Sequence, residues 1–375
     1  AGHIRRSDRM QSCPTQFDHS SANGDSLPLE IDAEHSGQHH WDSMGRSPTQ
    51  IGFAGVAAEW LGDDLTALRR HQRMRISSVF DTTPAVGTLG AKRLEAEHCR
   101  GLYRLLDSPL VDAVVVGNPG WMGWHPVLQS VKRGLPTLFV VSRLTEEAFF
   151  DPQLPEQVRL EVAIAYARGS GGGFLMPGLP LRWLPVTIRV RELTATALGA
   201  IEHLEVDAPG TPLRSRNVAE LLDWALSVVQ SAPASLKTRE TEAGVELLLA
   251  CRRRTSGNEA VTIALRGLRR SGRSEVISSE LNFAAHGHCR HGEFTLTAPH
   301  QIQHTVDRSM SQESLCTDRS GFDIMLDLFG RRLVGGVVPV PDFADMLRAR
   351  NLVIAAHHSL ARDAHVVLSD EGHAV

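Results

Sequence analysis

Lysine is nearly missing from this chain: Lys92, Lys132 and Lys237 are the only three among 39 Lys and Arg residues. A lysine amine shifts its pKa readily when buried and is a common catalytic acid or base, so that option is confined to three positions. Paired cysteines are missing too. Cys13, Cys99, Cys251, Cys289 and Cys316 are odd in number and widely separated, without the spacing of a zinc knuckle or a disulfide framework. The expected setting is a reducing cytoplasm. Long apolar runs are also lacking, since 111–117 and 135–141 fall far short of the roughly 20 residues a membrane helix needs. No apolar stretch follows Arg5, Arg6 and Arg9 to make a secretory signal. A formal net charge of -4 argues against nucleic acid as a partner.

What is present reads as two globular domains and a tail. Residues 1–48 are rich in Ser, Asp, His and Gln, with too few apolar residues to bury a face, and are expected to form a disordered tail. From 49 to 142, short apolar strands alternate with helical spacing. The strands fall at 51–56, 76–80, 111–116 and 135–141, with helices at 101–106 and 127–132. Continuous Val-rich strands of this kind belong to a parallel sheet covered on both faces. Beyond 142 the spacing predicts helices at 186–197 and 218–230, then successive strands at 246–251, 261–265 and 293–297. Phe322, Met325, Leu326, Phe329 and Leu333 follow one helical face, and Asp342 with Asp345 give an acidic start to a last helix ending near Arg362. The fold class is therefore α/β. An N-terminal Rossmann-like parallel-sheet domain (49–142) is followed by a C-terminal α+β domain (143–375) with an open, mostly antiparallel sheet.

The first strand leads into Gly55-Val56-Ala57-Ala58-Glu59-Trp60. A dinucleotide fold wants Gly-x-Gly-x-x-Gly there, so that backbone and a helix N-terminus can approach the pyrophosphate. Ala57 adds a methyl group at the point of close approach, Glu59 adds negative charge, and Trp60 replaces a small packing residue. Asp81 ends the second strand 26 residues after Gly55, near the position from which an acid bonds the adenosine ribose of NAD and repels the NADP phosphate. A helix cap or turn is the plainer role for such an Asp.

Val111-Asp112-Ala113-Val114-Val115-Val116 followed by Asn118-Pro119, Gly134 before the next strand, Arg182-Trp183-Leu184-Pro185, and Gly335-Gly336 with Val338-Pro339-Val340 occur in that order. In order and spacing they resemble the Gfo/Idh/MocA oxidoreductases over about 50–368. The resemblance implies an NAD(P)-dependent dehydrogenase acting on a sugar-like molecule, with Gly55, Ala57, Asp81, Asn118 and Pro119 lining the cofactor site and an open sheet that supports a homo-oligomer. The family's lysine after the fifth strand is not kept: the stretch is Val140-Val141-Ser142-Arg143. Alignment on Asp223 puts Arg216 and Glu220 where the family carries Asp-x-x-x-His. His125 is out of register with the family's histidines.

Glu220 and His125 are the remaining candidates for proton transfer, a partly buried carboxyl being able to rise toward neutral pKa. The leading expectation is an oxidoreductase homologue that can hold NAD, in preference to NADP, but has weak or no dehydrogenase activity. One alternative is an active NAD-dependent enzyme on a sugar or polyol. The other is a non-catalytic interaction scaffold whose cleft is filled by Trp60, Trp121 and Trp124. Three further features are read as structural. His286, His288, Cys289 and His291 could bind zinc or copper by residue type but lack the usual separation of two ligand pairs, so a His-rich surface loop is expected and no metal site is assigned. Residues 169–173 are a flexible Gly-rich connector, not a phosphate loop. Arg252, Arg253, Arg254, Arg266, Arg269, Arg270 and Arg273 form a basic region suited to phosphate or an acidic partner, with solvated loop charge as the plainer reading.

Overall fold

The computed structural model describes residues 47–56, 71–168, 174–253, 260–270, 283–315, 319–369 and 372–373. The tail expected over 1–48 therefore lies outside the described residues up to 46, as do Ala57, Glu59, Trp60 and the Gly-rich connector at 169–173.

The Val-rich segment becomes a buried strand because apolar groups wait on both of its faces. Strands β1 (Thr49–Ala54), β2 (Met74–Phe80), β3 (Glu97–His98), β4 (Ala113–Val116), β5 (Thr137–Val140) and β6 (Leu175–Gly178) form one sheet, with all pairs parallel. The order β3-β2-β1-β4-β5-β6 is that of a dinucleotide-binding sheet. Successive β4 residues alternate between two cores. Val114 and Val116 join one with Leu105, Val127 and Val131, while Ala113 and Val115 join the other with Ile51 and Phe53.

Helices α1 (Pro84–Leu94), α2 (Leu102–Leu106), α3 (His125–Lys132) and α4 (Leu154–Ala167) cross between the strands. The sheet runs past residue 142, since β6 pairs with β5 from 175 to 178. Residues 47–375 form one compact unit.

The chain continues through α5 (Pro185–Leu193), β7 (Ile201–Asp207), α6 (Arg216–Val229), β8 (Ser231–Thr241), β9 (Gly244–Arg253), β10 (Ala260–Leu268), β11 (Ala284–Cys289), β12 (Gly292–Thr297), β13 (Gln301–Val306) and β14 (Ser309–Ser314). It ends with α7 (Gly321–Leu333), α8 (Phe343–Arg362) and β15 (Val366–Val367). The second sheet has the order β14-β13-β12-β11-β7-β10-β9-β8-β15 and is antiparallel except where β7 runs parallel to β10. Helices α6 and α8 pack together against it. Met325, Leu326 and Phe329 of α7 return to the parallel sheet and cover its Ile51–Phe53 face.

The His-rich segment is a strand and not a loop. Alternation along β11 sends Ala285, Gly287 and Cys289 into the core and His286 and His288 to the other face. Cys289 is thereby separated from the two histidines, and His291 lies beyond the strand end, its N–H donating to Leu198 O at 2.9 Å. Among the described arginines, Arg266 pairs with Glu205 and Glu246, and Arg270 pairs with Glu240. No described helix is long and apolar enough to cross a membrane.

Candidate functional site

In a sheet of this order the ligand crevice opens beyond the carboxyl ends of β1 and β4, where the strand order reverses. Gly55 and Asn118 meet there. Gly55 has φ +80°, and a Cβ on it would lie 1.8 Å from Asn118 O, so only glycine fits. The Asn118 N–H donates to Gly55 O at 2.8 Å, and its Oδ1 accepts from Gly120 N at 3.3 Å. Pro119 is buried behind it.

Asp81 stands at the end of β2 on the same rim. Its two oxygens accept from Val56 N (2.7 Å) and Thr83 N (2.6 Å). Burial raises its carboxyl above the ordinary range, although those two backbone donors pull the other way. Asp81 thus closes the turn after β2 and ties it to the end of β1, without capping α1. It also keeps a lone pair on each oxygen that a ribose hydroxyl can use.

The N–H groups of Gly55, Val56, Thr83, Asn118 and Gly120 all donate within the protein. Ala57, the remaining predicted cofactor contact, lies outside the described residues.

The second part of the site is built on α6. Ser215 caps this helix by accepting from Val218 N, and almost every face of it is buried. Arg216, Glu220 and Asp223 recur at i, i+4 and i+7, which places three charged groups on one stripe. Each finds a different environment.

Arg216 donates through Nη1 to the carbonyl oxygens of Ser142 and Leu144. Its backbone N–H and Nε reach Glu146 at 3.1 and 3.4 Å. Burial raises the Glu146 carboxyl, with Arg216 opposing that shift. Asp223 accepts a two-pronged ion pair from Arg182 (2.8 and 2.5 Å), whose Nη2 also reaches Asp345 at 3.1 Å. The Arg182 motif thus joins the turn before α5, the middle of α6 and the capping turn of α8.

Between these two clamps Glu220 is buried, with one carboxylate oxygen lacking a hydrogen-bond partner. Burial pushes its carboxyl up to about 7; Arg216 opposes the shift, while Asp223 and Glu146 add to it. His125 lies elsewhere. It starts α3, and its Nε2 stands 3.2 Å from Tyr103 Oη on α2. The structure therefore brings Glu220 together with the 142–146 segment, but not with His125.

The lysines serve other parts of the fold. Lys132 pairs with Glu161, Lys237 pairs with Asp363, and Lys92 is exposed at the end of α1. Two of the tryptophans proposed to fill the cleft do not share one location. Trp121 is 84% exposed, whereas Trp124 is wholly buried between Phe139 and Phe343 and donates to Ala148 O. Glu146 and Asp345 were missed as site residues. Nothing local to their sequence marks them, because their partners lie 70 and 163 positions away.

No protein-family model and no characterised protein matches the chain by sequence. Solved structures do match by shape. The 3-ketoreductase KijD10 from Actinomadura kijaniata, in complex with NADP, superposes with a TM-score of 0.60 at 17% identity, over 84% of this chain and 98% of that one. UDP-N-acetylglucosamine 3-dehydrogenase GnnA from Acidithiobacillus ferrooxidans gives 0.62 at 14% identity, over 84% and 99%. A super-repressor mutant of Gal80p from Saccharomyces cerevisiae gives 0.65 at 12% identity, over 87% and 100%. The chain has the fold of the Gfo/Idh/MocA-type dehydrogenases.

Proposed function

We propose that this chain is a Gfo/Idh/MocA-like oxidoreductase homologue with a degenerate catalytic centre and weak or no dehydrogenase activity. The observation that carries the reading is the lodging of Arg216. The stretches that the family resemblance assigns to the lysine and to Asp-x-x-x-His meet at this point, but a buried guanidinium bound to Ser142 O, Leu144 O and Glu146 fills the junction. A bound nicotinamide supplies hydride, and reducing a carbonyl also needs a proton donor within hydrogen-bond reach. An arginine whose donors are spent on backbone carbonyls is a poor source of that proton.

Asp81, with Gly55, Asn118 and Pro119, is the basis for nucleotide retention in this proposal, NAD in preference to NADP. A sugar-like ligand, a homo-oligomer and a cytoplasmic setting belong to the same reading. Calorimetric titration with NADH and NADPH, on the native chain and on Asp81→Ala, tests the cofactor part. Binding of NADH that weakens in the variant is the expected result. Turnover of sugars or polyols at an ordinary enzymatic rate, roughly 1 to 1000 per second, sinks the degenerate-centre reading.

A second reading, an active NAD-dependent oxidoreductase, draws on Glu220. A carboxyl pushed up to about 7 with an unpartnered oxygen has the protonation behaviour of a general acid or base near neutral pH. If turnover is found, Glu220→Gln should lower kcat by about 100-fold or more. Unchanged kcat removes Glu220 from the chemistry.

A further inference from the structure

On the exposed face of the second sheet, His286 and His288 stand two residues apart on β11 and so point the same way. Glu293 on β12 is the direct cross-strand partner of His288. Its Oε2 lies 3.6 Å from His286 Nε2 and 3.6 Å from His288 Nδ1, and the three ligand atoms all fall within 4.8 Å of one another. Ligands about 2.0–2.1 Å from a tetrahedral zinc ion stand roughly 3.4 Å apart, so small rotamer adjustments close this set around one ion.

The strand beneath is rigidly held. Ala285 and Cys289 are buried on the opposite face, and a Cβ on Gly287 would strike Phe294 at 2.2 Å, so β11 sits hard against the core. On the other flank His203, paired across β7 with His288, stacks on the His288 ring at 6.2 Å and is itself held by Glu205 at 3.0 Å. The three ligand side chains are 33%, 51% and 50% exposed, which leaves the side of the ion away from the sheet open to solvent.

We infer that His286, His288 and Glu293 form a binding site for a divalent transition-metal ion of the zinc type, with its remaining coordination open to water or an external ligand. Two imidazoles and a carboxylate suit zinc, and disfavour calcium and magnesium, which take oxygen ligands.

The test is zinc titration of the full 375-residue chain after chelator treatment, with bound metal counted by atomic absorption and Co2+ used as a spectroscopic stand-in. The chain has 18 histidines, so the comparison between variants decides. His286→Thr, His288→Thr and Glu293→Gln are each expected to remove one zinc equivalent per chain, through an affinity loss exceeding about 100-fold, and to abolish the tetrahedral Co2+ absorption. His358→Ala, exposed on α8, should keep both. Metal-free melting temperatures should agree across the set, because the ligands face solvent. The site is overturned if the three ligand variants bind as many zinc ions as the native chain, or if the native chain binds none.

Discussion

Arg216 donates through Nη1 to the carbonyl oxygen of Ser142, tying the first turn of a buried helix to the segment that leaves the parallel sheet. Removing that guanidinium leaves two carbonyls without their donor and the half-buried Glu146 without its cation, with only the residue-216 backbone N–H still reaching the carboxylate. Arg216→Ala should therefore lose on the order of 3 kcal/mol of stability in urea denaturation. A loss below about 0.5 kcal/mol would mean that the clamp contributes little.

Arg182 and Asp223 form the second clamp, and it is more deeply buried. Removing Arg182 leaves the buried Asp223 without its cation, so Arg182→Met should cost roughly 3–5 kcal/mol, whereas Asp223→Leu, which leaves Asp345 facing the guanidinium, should cost less. The double variant should regain a large part of that, because replacing a buried pair with apolar groups is often close to neutral. A double-mutant cycle by chemical denaturation reads the coupling, and simple additivity would contradict it.

Glu220 should make stability depend on pH. Its folded value of about 7 lies above its ordinary value of 4.5, so the folded state holds the proton more tightly. The stability from this group is fully present below about 4.5 and is lost as pH rises through about 7, a change on the order of 3 kcal/mol. Glu220→Gln should flatten this part of the profile and gain relative stability above neutral pH. Superimposable pH profiles for the two proteins would refute the assignment.

Gly55→Ala places a methyl group against Asn118 O in a backbone region that L-residues avoid. The variant should lose more than about 2 kcal/mol. NADH binding measured by calorimetry should weaken with it, since β1 and β4 can no longer close to 2.8 Å at their carboxyl ends. Retention of both native stability and native affinity would show that this junction has room to relax.

Much of the fold was legible because burial leaves periodic traces. The Val-rich run at 111–116 implied a strand covered on both sides, and β4 is inserted between two cores. The Asp342 and Asp345 start became a reciprocal capping box on α8. Helix α4 has no clear sequence signature, since it leaves Leu160 and Tyr166 in solvent and blurs its apolar stripe. The histidines of β11 resemble a loop in composition, because their alternation is short and its inward residues are Ala, Gly and Cys.

The sequence by itself determined that a lysine is absent after β5, that the glycine loop is eroded, and that Arg216, Glu220 and Asp223 share one helical stripe. These follow from residue identity and the 3.6-residue repeat. Tertiary structure alone decided what those residues face. It spent Arg216 on Ser142 and Leu144, turned Asp81 inward to Val56 and Thr83, buried Glu220, and set Glu293 opposite His288. Protonation state and metal affinity depend on solvent exclusion and on partners distant in sequence, and neither quantity exists until the chain has packed.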